Sequence, residues 1–190
     1  MTRTDFEKRS PLTRAALEFA ERQHGAQTRE LDREAPLVTH PIEVASLLDE
    51  AGYPDEVLAA GVLHDVLEDT DVEADELEER FGPEVARLVV EVSDDPTIED
   101  EAERKAALRR QVADADERVL AVFAADKVSK ARELRLRASR QGGFDRNDRL
   151  KLEHYEASLD MLGRRLPGHR FLDQLRTELD ELHSLPGCGA

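Results

Sequence analysis

The chain has 190 residues, the length of one domain with a sizeable buried core. Lysine and arginine together number 27 against 43 aspartate and glutamate residues, so the formal net charge at pH 7 is −16. This balance argues against a nucleic-acid polymer as partner, because such a polymer requires a positive protein surface. A small anionic ligand is still compatible with the sequence, because a local pocket of basic side chains can bind an anion even when the rest of the surface is negative.

The chain shows no feature of a secreted or membrane protein. Its single cysteine, Cys188, cannot form an intramolecular disulfide, so no oxidising compartment is required. The amino terminus lacks an apolar segment of the signal-peptide type, and no stretch approaches the roughly 18 apolar residues of a membrane span. We expect a cytoplasmic protein without a membrane partner, with one domain over residues 1–185 and a flexible tail over 186–190.

The amino-acid composition and the positions of the prolines predict an all-α fold. Alanine, leucine, glutamate and arginine dominate, while glycine and proline number only 10 and 8. Pro11, Pro41, Pro54 and Pro83 stand where helices are expected to begin, because proline is favoured in the first helical turn. The pattern predicts a single bundle of about nine helices, which in chain order cover residues 11–24, 41–50, 54–69, 73–80, 83–92, 98–114, 117–132, 146–165 and 169–183.

The third predicted helix, residues 54–69, is apolar on most sides and is expected in the middle of the fold. It nevertheless places four ionisable residues on one face: His64, Asp65, Glu68 and Asp69. Because burying unpaired charge is costly, these groups are expected to pair, to bind a metal or to face a wet cleft. The alternative is a solvated stripe on an amphipathic helix.

Two further polar residues interrupt the expected pattern. Asp126 ends an apolar run and is either one partner of an ion pair, with Lys127 or Arg132, or a metal ligand. His40 stands just before a predicted helix, where a lone histidine is more often a capping or surface residue. The other histidines that follow, His154, His169 and His183, show no ligand spacing with one another and are expected on the surface.

Together these segments supply the donors of a metal site. His40, His64, Asp65 and Asp126 offer two imidazoles and two carboxylates, a set that suits Mn²⁺ or Fe²⁺ and leaves positions for water and substrate. A metal in such a site can stabilise charge on phosphoryl oxygen and acidify a water molecule. Glu68 and Asp69, one turn further along, could orient that water or carry protons.

At this point the sequence resembles the HD-type metal-dependent phosphohydrolases, through the pattern H…HD…D. Within that class it is similar to the (p)ppGpp hydrolase domain of the bifunctional alarmone synthetase/hydrolases and to the small stand-alone alarmone hydrolases. The resemblance covers about residues 15–160. Its specific part is the segment from His64 to Thr70 followed by Phe81-Gly82, supported by the segments 24–29, 39–41 and 124–127.

The resemblance implies a role for each matching residue. It implies that His40, His64, Asp65 and Asp126 hold a divalent metal, usually manganese, with iron or another first-row ion as the alternative. It implies that Glu68 and Asp69 form the catalytic acidic pair. It places Arg29 against the nucleotide base, and Lys151 and Tyr155 near the nucleotide.

The residues that differ from the family pattern stand at positions where the family contacts its substrate. Lys130 stands where the family commonly has Asn, and Glu133 where it often has Thr. Glu30 replaces a usual basic residue, and Ala26 a usual glycine. The metal set is therefore intact while base and ribose contacts are altered, and Lys130 becomes a candidate phosphate-binding cation.

The sequence thus predicts a metal-dependent phosphohydrolase that acts on a small phosphorylated nucleotide, with 3′-pyrophosphate hydrolysis of (p)ppGpp as the leading activity. One alternative is a nucleotidase or phosphatase for another small phosphoester. The other is a non-catalytic nucleotide-binding module. The survival of Glu68 and Asp69 beside the metal set favours an enzyme.

Overall fold

The computed structural model describes residues 10–24 and 39–186, and within these ranges the regular structure is entirely helical. The prediction of an all-α fold is therefore confirmed. Ten helices follow one another in the described residues: α1 (Pro11–His24), α2 (Thr39–Glu50), α3 (Asp55–Leu63), α4 (Val66–Asp69), α5 (Ala74–Phe81), α6 (Pro83–Val92), α7 (Glu101–Asp114), α8 (Glu117–Gln141), α9 (Arg146–Arg165) and α10 (Arg170–His183).

The third predicted helix is divided in two, which accounts for ten helices where about nine were expected. Helix α3 ends at Leu63 and α4 begins at Val66. The His64 Nδ1 atom donates to the Gly61 carbonyl oxygen over 2.8 Å, so the side chain occupies an acceptor that a continuous helix would use for its own backbone. The break therefore lies at the pair of residues that the sequence singled out as metal ligands.

Helix α8 is the long central element, and it extends well past residue 132, where the sequence predicted its end. Asp116 caps its first turn by accepting from the backbone N–H groups of Arg118 and Val119. It ends at Gln141 and is capped by Gly142, whose left-handed φ of 74° suits a glycine. Helices α2, α3, α6, α9 and α10 pack around α8, so its first four turns form the middle of the core.

A close approach of α2 and α3 positions the site. A Cβ atom built on Gly61 would lie 2.6 Å from Leu48 Cδ1 and 3.3 Å from Val44 Cγ1. Only a glycine fits this contact without a shift, so Gly61 lets α3 lie directly against α2. His40, at the start of α2, is thereby brought beside His64, which follows α3.

None of the helices in the described ranges is long and apolar enough to cross a membrane.

Candidate metal centre and active site

Four predicted metal ligands from three parts of the chain meet at one point. His40 Nε2 lies 3.1 Å from His64 Nε2 and 3.1 Å from Asp126 Oδ1. Asp65 Oδ2 lies 3.1 Å from His64 Nε2 and 3.6 Å from His40 Nε2. The set is buried, with His40, His64 and Asp126 each 3–4% exposed. Neither a surface position for His40 nor a solvated stripe at His64 describes the structure.

The donor atoms have the spacing that a first-row metal requires. Ligand atoms about 2.1 Å from an ion, at right angles to one another, are about 3 Å apart. The distances of 3.1–3.6 Å between the imidazole nitrogens and the carboxylate oxygens match this value. Ligand atoms of His40, His64 and Asp65 also lie within 4.8 Å of one another. The residues therefore fit a divalent metal.

Hydrogen bonds behind the two imidazoles turn both Nε2 atoms towards the site. The Gly61 carbonyl can only accept, so His64 carries a proton on Nδ1 and directs Nε2 inwards. On His40, Nδ1 lies 2.8 Å from Ser129 Oγ. Second hydrogen bonds of this kind orient metal-binding histidines in proteins.

The charges at the site shift the pKa values of its members in opposite directions. Burial lowers the pKa of His40, and this outweighs the effect of Asp126. Burial also disfavours the charged form of His64, but the carboxylates of Asp65 and Asp126 overcome it and raise the pKa of His64 to about 10. Despite burial, His64 and Lys130 hold the pKa of Asp65 well below its usual range. Lys127 and Lys130 likewise hold the pKa of Asp126 well below its usual range, so both carboxylates are anionic.

Two lysines of α8 supply positive charge at Asp126. Lys127 is buried, and its Nζ lies 2.5 Å from Asp126 Oδ2 and 4.4 Å from the centre of the Phe123 ring. The Lys130 Nζ lies 3.1 Å from Asp126 Oδ1 and 3.3 Å from Asp65 Oδ1. Asp126 therefore makes the predicted ion pair with Lys127 as well as facing the histidines, and the two alternatives for this residue are compatible.

Glu68, the first member of the acidic pair, lies at the mouth of the site. Glu68 shares a small cavity with His64, Asp65, Lys127 and Lys130. Its Oε1 accepts the backbone N–H of residue 94 over 2.9 Å, which fixes the carboxylate in place. Loss of hydration, reinforced by the negative charge of Asp65, raises the pKa of Glu68.

Asp69 is placed less directly than Glu68. The same two causes raise the pKa of Asp69, first the loss of hydration and then the charge of Asp65. Glu68 and Asp69 are both exposed, but only Glu68 is among the residues that line the small cavity. The geometry therefore distinguishes the two members of the pair and favours Glu68 for contact with the reacting atoms.

The remaining predicted substrate residues are only partly located. Arg29 lies outside the described residues, as do Glu30 and Cys188. Tyr155 is buried on α9, near enough to Lys130 to influence the pKa of that lysine. Lys151 is half-buried one turn earlier on the same helix and does not line the cavity at the metal ligands.

Two residues near the ligands were not singled out by the sequence. They are Glu43, which follows His40 by three positions, and Ser129, which follows Asp126 by three positions. Residues three apart on a helix share a face, so this spacing was the available signal.

The expectation of a surface position for His154 was wrong. Its ring is half-buried and lies edge-on to Phe123, and Arg109 contacts its Nδ1 over 2.5 Å. Burial, together with the nearby charges of Lys127 and Arg109, lowers the pKa of His154 to about 2. His169 is half-buried, whereas His183 is exposed as predicted.

The fold and site together define an all-α protein with a cluster of two histidines and two aspartates suited to a divalent metal. Residues 16–148 match the family described as HD domain. The chain belongs to this family, and the resemblance seen in the sequence is confirmed.

Relatives of known name share the matched region. The chain is 43% identical over 121 residues to the human guanosine-3′,5′-bis(diphosphate) 3′-pyrophosphohydrolase MESH1, covering 63% of this chain and 67% of that protein. The Drosophila melanogaster protein of the same name is 40% identical over 122 residues, covering 63% and 68%. A solved structure described as a metazoan ortholog of SpoT that hydrolyzes ppGpp has a TM-score of 0.75 and 29% identity, covering 92% and 94% of the two chains.

Proposed function

We propose that the protein is a metal-dependent 3′-pyrophosphohydrolase of (p)ppGpp. The observation that carries this proposal is the buried convergence of His40, His64, Asp65 and Asp126, with donor spacings of 3.1–3.6 Å between imidazoles and carboxylates. The relatives named as guanosine-3′,5′-bis(diphosphate) 3′-pyrophosphohydrolases support the substrate. The same four residues are the proposed metal ligands, and manganese is the proposed metal.

A divalent ion at these residues would supply Lewis-acid chemistry, by stabilising negative charge on phosphoryl oxygens and lowering the pKa of a water molecule. Glu68 is proposed to take the proton of the attacking water or to deliver one to the leaving oxygen, because its raised pKa and its place in the cavity suit proton transfer. Asp69 is proposed to assist from the mouth of the site. Water adds to phosphorus, the bond to the 3′ oxygen breaks, and the products from ppGpp are guanosine 5′-diphosphate and pyrophosphate.

Basic residues at the site are proposed to bind the anionic substrate, although the whole chain has a net charge of −16. Lys130, with a side chain 31% exposed, is proposed to contact a phosphate, since an ammonium can only donate. Arg29 is proposed to pack on the base, and Lys151 and Tyr155 to lie near the nucleotide. A single domain over residues 1–185 and a cytoplasmic location are parts of the same proposal.

The test is hydrolysis of ppGpp by the purified protein with Mn²⁺, with pyrophosphate and phosphate followed separately. We expect stoichiometric pyrophosphate, about one bound metal per chain, and loss of both metal and activity in Asp126→Ala. Asp160→Ala, which removes an exposed carboxylate of α9, is the control and should change neither.

Other outcomes would favour the alternatives. The absence of both product and ppGpp binding would favour a nucleotidase or phosphatase for another small phosphoester. Nucleotide binding without any product would indicate a non-catalytic module. Normal metal content in Asp126→Ala would remove this residue from the ligand set.

A further inference from the structure

The Nδ1 atom of His40, which points away from the other proposed metal ligands, contacts a side chain, whereas the Nδ1 atom of His64 donates to a backbone carbonyl. Ser129, which is fully buried on α8, places its Oγ 2.8 Å from His40 Nδ1. The same Oγ lies 2.7 Å from Oε2 of Glu43, one turn after His40 on α2. The three groups form a chain from imidazole to hydroxyl to carboxylate.

The carboxylate at the end of this chain is paired with a guanidinium and fixed in position. Arg132 donates from its guanidinium to the other oxygen of Glu43 over 2.5 Å. Arg132 is itself held by Glu178 of α10, whose Oε1 accepts from Arg132 Nε over 2.9 Å. Glu178 also accepts from Arg135 Nε over 2.7 Å. Three helices therefore determine where the Glu43 carboxylate points.

The direction of each hydrogen bond then follows from the donors available. A carboxylate only accepts, so the Ser129 hydroxyl must donate its proton to Glu43. The contact between Ser129 and His40 can then exist only if the hydroxyl oxygen accepts from Nδ1–H. We infer that Glu43 and Ser129 are positioning residues that fix His40 as the Nδ1–H tautomer, with the Nε2 lone pair facing the metal.

This inference extends the proposed function, because it assigns to two further residues the preparation of a metal ligand. Ser129 is one turn after Asp126, so α8 supplies both a ligand and the hydroxyl that orients a second ligand. Partners of this kind commonly change metal affinity by about 10- to 100-fold when they are removed. The role is separable from stability, since it predicts which ring nitrogen carries the proton.

Glu43→Gln gives the sharpest test, because it keeps the shape of the side chain. Arg132 can pair only with the amide oxygen, so the amide NH₂ would face Ser129 and donate to it. The Ser129 hydroxyl would then donate to His40 Nδ1, which inverts the tautomer and places the proton on Nε2. We expect long-range ¹⁵N–¹H NMR of the metal-free protein to show Nδ1–H for His40 in the wild type and Nε2–H in Glu43→Gln.

Metal affinity provides the second readout. Chelator competition should show Mn²⁺ binding at least tenfold weaker in Glu43→Gln and in Ser129→Ala. Glu181→Gln is the matched control, since Glu181 pairs with Arg135 in the same cluster and is exposed, whereas Ser129 is fully buried. It should leave the tautomer and the affinity unchanged.

The outcomes separate this inference from the proposed function. An Nε2–H tautomer in the wild type, or an unchanged tautomer and affinity in Glu43→Gln, would overturn the positioning role. Absence of Mn²⁺ binding by the wild type would overturn the proposed function, whereas the tautomer of the metal-free protein would still decide the role of Glu43 and Ser129.

Discussion

The Lys130 ammonium lies 3.1 Å from the Oδ1 atom of Asp126, one turn earlier on α8, and 3.3 Å from Oδ1 of Asp65. A cation is therefore built against both carboxylates proposed to bind the metal. These carboxylates raise the pKa of Lys130 well above its usual range despite partial loss of hydration, so the lysine stays charged at neutral pH. Lys130 must repel a bound metal while attracting the phosphates of a substrate.

Lys130→Met should consequently act in opposite directions on metal and substrate. Removing the positive charge should tighten Mn²⁺ binding roughly tenfold, a modest figure because the side chain is partly exposed to solvent. The KM for ppGpp should rise by a similar factor. Chelator competition and steady-state kinetics measure the two effects, and a weaker Mn²⁺ affinity would show that Lys130 supports the metal instead of opposing it.

Glu68→Gln separates metal binding from chemistry. Glu68 lies beyond the proposed ligands and holds a raised pKa, so its loss should leave metal content and thermal stability near wild type. Turnover should fall by about 10²- to 10⁴-fold, the usual contribution of a general acid or base. Glu79→Gln, on the exposed side of α5, is the control. Loss of metal from Glu68→Gln would instead place this carboxylate among the ligands.

The departures from the family pattern bear on base choice. Lys130 replaces a neutral amide by a cation that favours phosphate over a base edge, and Glu30 adds negative charge beside Arg29. We expect ppGpp and its adenine analogue ppApp to be hydrolysed with kcat/KM values closer to each other than in a typical alarmone hydrolase. This ratio reports differential binding of the transition states. A strong guanine preference would contradict relaxed base choice.

His154 makes the stability of the fold depend on pH. Burial, with the charges of Lys127 and Arg109, lowers the pKa of His154 to about 2. The unfolded chain takes up a proton below about pH 6.5 while the folded chain does not, so the free energy of unfolding falls as the pH is lowered. The stabilisation is fully present above pH 6.5 and is lost progressively on acidification.

His154→Gln should reduce the fall in the free energy of unfolding as the pH is lowered. Urea denaturation between pH 4 and pH 7 should show a slope smaller than that of the wild type by up to about 1.4 kcal/mol per pH unit, the value for one proton. His183→Gln is the control, because His183 is exposed. Identical slopes for wild type and His154→Gln would show that His154 titrates normally.

Gly61→Ala tests the close contact between α2 and α3. The added methyl would lie 2.6 Å from Leu48 Cδ1, so Leu48 must move or the helices must separate. We expect a loss of about 1–3 kcal/mol in the free energy of unfolding, as for other overpacked cores. Mn²⁺ affinity should fall as well, because His40 and His64 would move apart.

Gly163→Ala is the matched control for Gly61→Ala. Gly163 is also helical, and nothing lies within 4 Å of a Cβ built there. Alanine should stabilise α9 by up to about 1 kcal/mol and leave Mn²⁺ affinity unchanged. Equal effects of the two substitutions would show that the α2–α3 contact tolerates a side chain.

The sequence predicted those features that depend on local pattern. His64, Asp65 and Asp126 were recognisable because each is polar within an apolar helix, and apolar surroundings make unpaired charge costly. The break between α3 and α4 was not predicted, since it depends on a histidine side chain bonding to the carbonyl of Gly61. Helix propensity alone continues the helix through this point.

Contacts between distant parts of the chain were the least predictable. Arg132 is separated by 89 residues from Glu43 and by 46 from Glu178, and nothing in the local pattern of any of them indicates the other two. The predicted alternative of an ion pair between Arg132 and Asp126 chose a neighbour in sequence. The fold instead brings α2 and α10 to opposite sides of the same guanidinium.

The position of Glu178 has a consequence for how the protein is made. Synthesis proceeds from the amino terminus, so α8 leaves the ribosome before α10 exists. Until Glu178 arrives, Arg132 and Arg135 lack the carboxylate that they share, and the apolar face of α8 that α10 covers is open to water. A nascent chain that already contains every proposed metal ligand would therefore hold them loosely, and metal capture should come late, after the last helix has docked.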